Sequence, residues 1–575
     1  MRVTPAAAVR LVIFLAAMVF VSVGFRWESQ HFLPLIVRAG ALAGILILIA
    51  WPGWGRWTGM VVDGVSTLER HPRLTIGVLA AVSFAATTAL AYFVHRPYPH
   101  ISDGFAYYFQ AKVFASGALT APAPIVPESF RFEWLAVHDG RWFSIFPPGW
   151  PALLAAGIEL GVPALVNPLL GALSVVVIYQ LGAALYDVKH GILCATLCCL
   201  SPFFLFMSSE FMSHTPALLF TSLSTLYHVK AISARSGTGR FALSGAAAGA
   251  AFLIRPMDGL AIWAAQIAHG LWTVRSGRQV RGALVSAAFF ACGIALYLAY
   301  NRALVGAWFS GPLALVAPNN RLGFGPAIGY PLAFETAGHS PWRALVNLNH
   351  NAAVMSQDLF GWPVTSLFFV LLLAAFGTKD RRHWLSGTII LSSVAAYALF
   401  WYHGEAYGAR FYFTLLPHIL MLTVAGIRQA PTVVSRLFAG GNAATGGRVV
   451  AAFVTLCVIF GWAVYVPKIS FISPYFNHKG VNDGFDEFRR RERLERAIVF
   501  VRAPEPLYYG PALLANEIPA ERGSVIYVRD LDEAANARVL AAFPGRSVHR
   551  YTYAPQPNPL RARLDAWLRA AGILK

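Results

Sequence analysis

Apolar runs of roughly twenty residues recur along most of this chain, and a helix needs about that many, at ~1.5 Å each, to cross the hydrocarbon core of a bilayer. They fall near 11–25, 33–51, 74–94, 163–186, 190–207, 214–229, 241–256, 258–274, 283–300, 362–376, 384–402, 409–427 and 449–467. About thirteen crossings are therefore expected, which makes the chain an α-helical polytopic membrane protein. A soluble globule is excluded: of 575 residues, 57% are hydrophobic and only 13% charged, more apolar surface than a water-soluble fold can hide. The first run follows Arg2 and Arg10 and leads directly into Arg26-Trp27-Glu28. With no small-residue cleavage site it reads as a span, not as a secretion signal.

Cytoplasmic loops carry the excess of Lys and Arg. With the N-terminus inside, the inner loops hold Arg56, Arg70 and Arg73; Lys230, Arg235 and Arg240; Arg275, Arg278 and Arg281; Lys379, Arg381 and Arg382; and Arg428, Arg436 and Arg448. The net charge of +19 is thus a signal of topology and of contact with membrane lipids. No basic stripe with interleaved aromatics points to nucleic acid.

The outer face then receives loop 95–150, loop 301–361 and everything after about residue 468. That last piece changes character. Residues 497–501, 524–528 and 547–551 read as strands and 530–542 as a helix. The division expected is a transmembrane unit, 1–467, and a small extracytoplasmic α/β domain, 468–575. The domain has no Gly-rich phosphate loop, so a nucleotide site is not expected there. The five cysteines all fall in or beside spans and imply neither a disulfide framework nor a metal knuckle. The Gly/Ala-rich stretch 439–447 reads as a linker.

One stretch stands out chemically: His100-Ile101-Ser102-Asp103-Gly104-Phe105-Ala106-Tyr107-Tyr108, just after a span. A carboxylate at the mouth of an intramembrane cavity is costly to keep and useful for chemistry. Further ionisable residues sit at the outer ends of other spans: Glu210 and His214, Arg255 and Asp258 flanking Pro256, and Glu405, Tyr407 and Arg410. Bundle packing can gather such a layer into one cavity.

Each has a plain structural reading as well. Glu128, Glu133 and Asp139 read as solvated loop residues. Glu210 and His214 form either a polar turn or a functional pair, sharing one face if the next helix starts early enough. Arg255 and Asp258 either pair across a turn or bind substrate. Arg410 is either a snorkelling anchor or a cation facing the cavity, where a guanidinium suits a phosphate group. His339 and His350 match no metal spacing and read as surface residues. Tyr107, Tyr108, Trp134, Trp142 and Trp150 read mainly as an interfacial belt, with sugar stacking as the alternative.

A span leading to an outer loop that opens with Asp103 and aromatics, then Phe146-Pro147-Pro148-Gly149-Trp150-Pro151 and the run from Pro163 to Tyr186, resembles the GT-C class of polytopic glycosyltransferases. Within it, the chain resembles the bacterial protein mannosyltransferase and aminoarabinose transferase group over roughly residues 74–430. The resemblance implies a polyprenyl-phosphate-linked sugar donor, transfer at the extracytoplasmic face of the bacterial inner membrane, and inversion at the anomeric carbon. It implies a lipid, glycan or protein acceptor. Asp103 matches the first-loop carboxylate used as base or to position the acceptor, and Glu210 the second-loop acidic position. The first-loop motif here is a single Asp rather than the Asp-Glu pair of protein mannosyltransferases.

The residues are chemically consistent with that class. Displacing a phosphate-linked sugar needs a carboxylate near the acceptor, here Asp103 assisted by Glu210. It also needs cations, here Arg255 and Arg410, or a divalent Mg or Mn ion held by Asp103 and Glu210, to offset charge on the departing phosphate. His214, Asp258 and Tyr407 complete the expected substrate-binding layer. A transporter or lipid-linked sugar flippase would place binding residues near the midplane in repeated halves, whereas these cluster at one face. A non-catalytic scaffold recruiting partners through its tail is the third reading.

Overall fold

A computed structural model of the chain describes all residues except 1–4, 23–31, 51–53, 235–236, 274–276, 330–337, 438–442, 473–474, 476–477 and most of 556–575. Arg2, Arg26-Trp27-Glu28, Arg235, Arg275 and the first half of the linker lie outside the described residues, as do the side chains of Arg56, Arg278 and Arg436.

The chain begins with α1 (Pro5–Ser22), α2 (Phe32–Ala50), α3 (Trp54–Arg70) and α4 (Pro72–Phe93), followed by α5 (Ser102–Ala115) in the first outer loop and α6 (Gly149–Glu159). A bundle follows: α7 (Val166–Leu185), α8 (Val188–Cys199), α9 (Pro202–Met207), α10 (His214–Ser233), α11 (Gly239–Ile254), α12 (Pro256–Thr273) and α13 (Gly277–Val305). The second outer loop carries α14 (Leu313–Val316) and α15 (Pro341–Asp358), and α16 (Phe368–Phe376), α17 (Arg382–Ala398), α18 (Leu416–Leu437) and α19 (Ala443–Phe460) complete the apolar part. The C-terminal piece holds α20 (Gly484–Glu492), α21 (Gly510–Ala515) and α22 (Glu533–Ala542).

Each apolar stretch read from the sequence overlaps a helix among the described residues, although 362–376 is helical only from Phe368 and 384–402 only to Ala398. Among the described residues, five helical stretches are long and apolar enough to cross a membrane: Pro72–Phe93, Pro163–Leu185, Gln279–Val305, Arg410–Val433 and Gly446–Phe471. The stretch 190–207 breaks into α8 and α9 because Pro202 has no N–H to continue the ladder. Ser201 caps the restart, its Oγ accepting from Phe204 N at 3.3 Å and donating to Leu359 O at 2.5 Å. One reading changes: residues 54–70, taken as inner loop, form α3. Its mixed polar and apolar sequence failed the span criterion but still folds as a helix packed on α4 and α19.

The first outer loop forms a small antiparallel sheet of β1 (Ala121–Pro122), β2 (Leu135–His138) and β3 (Arg141–Ser144), in the order β1-β3-β2. Its hairpin turns on Asp139 and Gly140, both with positive φ (48° and 70°), as a two-residue hairpin turn that follows the strand twist requires. The C-terminal piece forms a parallel sheet, β5-β4-β6, from β4 (Ala497–Arg502), β5 (Val525–Arg529) and β6 (Ser547–Thr552). Central β4 is buried from Ala497 to Val501, as a doubly covered parallel strand must be. The helix expected from residue 530 starts at 533, where Asp532 caps it by accepting from Ala535 N at 2.8 Å.

The two outer pieces share one apolar core. Phe105, Phe109 and Val113 of α5 and Phe130 and Trp142 of the loop join Ile498, Phe500, Tyr509 and Val528. Gly510 lets the Phe105 ring approach, since a Cβ there would lie 2.6 Å from it. The aromatic belt is accordingly corrected for Tyr107, Trp142 and Trp150, which are interior residues at 4%, 4% and 1% exposure. Trp150 Nε1 donates to Phe211 O at 2.9 Å. The half-buried Tyr108 and Trp134 lie against Phe211 and Phe146. The C-terminal sheet walls in Trp142, whereas Tyr107 and Trp150 are buried in the core of the helical bundle.

Polar ties reinforce the contact. Lys112 Nζ donates to Leu514 O (2.7 Å) and Asn516 O (2.5 Å), and Arg538 pairs with Glu128 at 2.7 Å. Burial lowers the Lys112 pKa to about 8, with Arg489 adding to the shift and Glu517 opposing it. A folded-state value below the unfolded one means that the unfolded chain binds more protons between the two, so stability rises with pH over that window. Wild type should therefore gain thermal stability from pH 8 to about 10.4 relative to Lys112→Met. A wild-type minus Lys112→Met difference that stays flat across this window would contradict the assignment.

Candidate functional site

The geometry is set where span ends and loops converge. Asp103 occupies the first turn of α5, and its Oδ2 lies 2.9 Å from Arg410 Nη1. Arg410 opens the short turn Arg410–Leu415 that leads into α18. Its Nε donates to Gly404 O at 2.7 Å, and the guanidinium sits 5.4 Å from the centre of the Phe411 ring. The side chains are 19% and 10% exposed, so the pair is inside yet reachable. Of the two readings of Arg410, the structure shows the inward one.

Arg255 and Asp258 also pair, across the α11–α12 junction. Arg255 Nη2 donates to Tyr397 OH at 2.8 Å. Asp258 Oδ1 accepts from Tyr397 OH and Thr414 Oγ1, each at 3.1 Å. With Asp258 1% exposed and all its partners in place, it is an anchor for Arg255. Tyr107 joins the two pairs: its OH is 3.1 Å from Ser213 Oγ. Burial pushes that phenol up to about 12, with Asp103 adding to the shift while Arg255 and Arg410 oppose it. His214, first residue of α10 and 1% exposed, feels the charges of Arg255 and Arg410, and neither ring nitrogen has a hydrogen-bond partner among the described residues. Asp103, Arg410, Arg255, Tyr107 and His214 thus share one electrostatic neighbourhood.

Glu210 lies beside it in the turn before α10, 3% exposed. Because α10 begins at His214, the helical pairing of Glu210 with His214 expected from a spacing of four does not form. Asn167 Nδ2 pins the turn by donating to Glu210 O and to Met212 O, the latter at 2.9 Å. Glu210 Oε1 lies 2.8 Å from His95 Nδ1 and accepts from Tyr407 OH at 2.9 Å. Burial alone would raise this carboxyl, but His95, His100 and the Tyr407 hydrogen bond outweigh it and hold it below its ordinary value. Ligand atoms of His95, His100 and Glu210 lie within 4.8 Å of one another. His95 Nε2 has no protein partner, whereas His100 Nδ1 faces His478 O at 3.3 Å and its Nε2 faces His95 O.

The chain leaving α19 crosses this cluster. Tyr475 lies 4.9 Å from the Phe206 ring and 5.0 Å from that of Tyr407, and the His478 ring lies 5.0 Å from Tyr407. Outside the layer, His350 Nε2 meets Glu405 Oε2 at 2.6 Å beside His403, and the buried His339 Nε2 binds Ala398 O at 2.9 Å.

The sequence reading missed His95, Tyr397 and Tyr475 and gave His100 no role. For the histidines a signal existed: both flank the Arg96-Pro97-Tyr98-Pro99 break between α4 and Asp103. Tyr397 and Tyr475 lie in apolar surroundings like any other core ring.

Residues 147–305 match the family model described as dolichyl-phosphate-mannose-protein mannosyltransferase. Over that segment the match bears out the resemblance to a family of membrane glycosyltransferases read from the sequence. Among solved structures, ArnT from Cupriavidus metallidurans bound to undecaprenyl phosphate is similar at 12% identity and a TM-score of 0.48, over 83% of this chain and 89% of that one. The archaeal oligosaccharyltransferase AglB from Archaeoglobus fulgidus, in complex with an inhibitory peptide and a dolichol-phosphate, is similar at 12% identity and a TM-score of 0.42, over 86% of this chain and 65% of that one. No curated protein matches by sequence.

The two ion pairs differ in what their loss should do. Asp258→Ala leaves a buried guanidinium without its counter-charge, which costs about 3–5 kcal/mol. Asp103→Asn keeps an acceptor for Arg410, at a pair whose acid is 19% exposed against 1% for Asp258. Thermal unfolding in detergent should show a large loss for the first and a clearly smaller one for the second.

Proposed function

We propose that this chain moves a sugar from a polyprenyl-phosphate donor to a lipid, glycan or protein acceptor of the cell envelope, at the extracytoplasmic face of the bacterial inner membrane, with inversion. The observation that carries the reading is the Asp103–Arg410 pair, set among Arg255, Tyr107 and His214 at one end of the bundle. The opposite ends of the same helices carry Lys230, Arg240, Arg382 and Arg428. Such an excess is what a cytoplasmic side carries, and it supports the reading of an outward-facing site.

Asp103 Oδ1, which has no hydrogen bond among the described residues, takes the proton of the acceptor hydroxyl or amine. The acceptor attacks the anomeric carbon from the face opposite the phosphate. The bond from that carbon to the phosphate oxygen breaks, and the lipid phosphate leaves with the electron pair. Arg410 and Arg255 offset the charge that develops on it, and the His214 ring supplies an N–H donor. Arg410 also holds Asp103 in place, so base and cation are set at a fixed separation.

A divalent ion fits Glu210 best. His95 Nε2 is free to bind it, whereas His100 must first release one backbone carbonyl. Two imidazoles and a carboxylate suit Zn or Mn better than Mg. When bound, such an ion supplies positive charge to the leaving phosphate. Asp103, already paired with Arg410, is the alternative ligand on the Glu210 side.

Purified protein with a panel of polyprenyl-phosphate sugars tests the reading. Asp103→Asn should cut transfer by ~10²–10⁴-fold, the usual worth of a positioned base; wild-type turnover by this variant would remove Asp103 from the chemistry. In the same preparations, elemental analysis should find one transition-metal ion in wild type and less in Glu210→Gln. Equal content in both would rule out the Glu210 site.

A further inference from the structure

A cleft of about 480 Å³ opens in the C-terminal piece, between the end of α20 and the turn that enters β5. That volume lies within the ~300–1,000 Å³ of sites that hold small molecules. Its rim is cationic: Arg489, Arg490 and Arg493 line it, against Asp486 and Glu517. The acids are already engaged. Asp486 Oδ1 meets Arg489 Nη1 at 3.1 Å, and the charge of Glu517 acts on the buried Lys112. Arg490 and Arg493 are exposed and have no ion-pair partner among the described residues, so the net field in the cleft is positive.

The floor is of another kind. Leu494, Ala515, Val525 and Tyr527 line it, and Ser524 adds a hydroxyl whose oxygen already accepts from Arg496 N at 3.1 Å, which leaves its proton to donate. Two free guanidinium forks above an apolar floor suit a ring that carries a negative group and has an apolar face. A bare inorganic anion would use the forks and waste the floor.

We propose that this cleft binds an acidic saccharide segment, holding its carboxylate or phosphate between Arg490 and Arg493 and its ring over Leu494 and Val525. Calling that segment part of the acceptor rests on the transferase reading; the binding does not. The C-terminal sheet shares its core with the loop that carries Asp103, so a glycan held here is tethered to the same rigid unit as the site. Tethering raises the local acceptor concentration without any new contact at the reacting atoms.

Full-length protein in nanodiscs, titrated with tetragalacturonic acid, the neutral galactose tetramer and inorganic phosphate, tests the proposal. The acidic tetramer should bind and weaken as salt rises. Arg490→Ala with Arg493→Ala should weaken it at least about tenfold, the cost of losing one or two charge-assisted contacts of ~1.5–3 kcal/mol each. Arg491→Ala with Arg496→Ala, equal in charge but outside the cleft lining, should not. Equal binding of the neutral tetramer, binding of phosphate but not of the acidic tetramer, or binding unchanged in the cleft variant would each overturn the proposal. Asp103→Asn should bind the tetramer like wild type. Retained transfer by Asp103→Asn with cleft binding intact would sink the transferase mechanism and leave this site standing.

Discussion

The ion pair between Asp103 and Arg410 is the contact on which the functional architecture rests. The two residues belong to helices far apart in the chain, and neither charge is cheap at the edge of an apolar bundle without a partner. Pairing them fixes where the first outer loop meets the entrance to α18. Around that closure the second pair, Arg255 with Asp258, is locked by Tyr397 and Thr414, so a second guanidinium is held ready with its acid fully occupied. One pair is sealed and structural, the other partly open. The difference in burial decides which carboxylate has an oxygen to spare for a substrate.

Glu210 belongs to the same layer but does other work. Its three contacts, with His95, Tyr407 and the pinned turn, leave it little freedom. The residues after α19 close over this cluster, and the carbonyl of His478 reaches His100. The C-terminal piece is therefore part of the site's wall as well as an appended unit. The core that it shares with α5 makes the orientation of Asp103 depend on the folding of residues almost four hundred positions later.

Much of this was legible in the sequence. Residue types at span ends put Asp103, Glu210, His214, Arg255, Asp258, Tyr407 and Arg410 at one depth, and the structure brings them into two adjoining clusters. The strands of the C-terminal sheet were readable because β4 is an unbroken run of apolar, largely β-branched residues, and its helix because of periodicity and an Asp cap. The aromatic residues were misjudged, because a ring in an outer loop has the same local sequence whether it faces lipid headgroups or another loop. The missed histidines show the same limit: His95 becomes informative only once Glu210 is found 2.8 Å away.

By itself the sequence determined that this chain lives in a membrane, since its apolar runs are long enough to span and too apolar for water. It also determined which ionisable groups stand together at one end of those runs, because the order of apolar and polar segments fixes which run ends share a side of the bundle. Tertiary structure alone decided the pairing: that Arg410 takes Asp103 while Arg255 takes Asp258, and that Glu210 turns to His95. An ion pair depends on a distance of a few ångströms between segments hundreds of residues apart, and no local pattern encodes that distance.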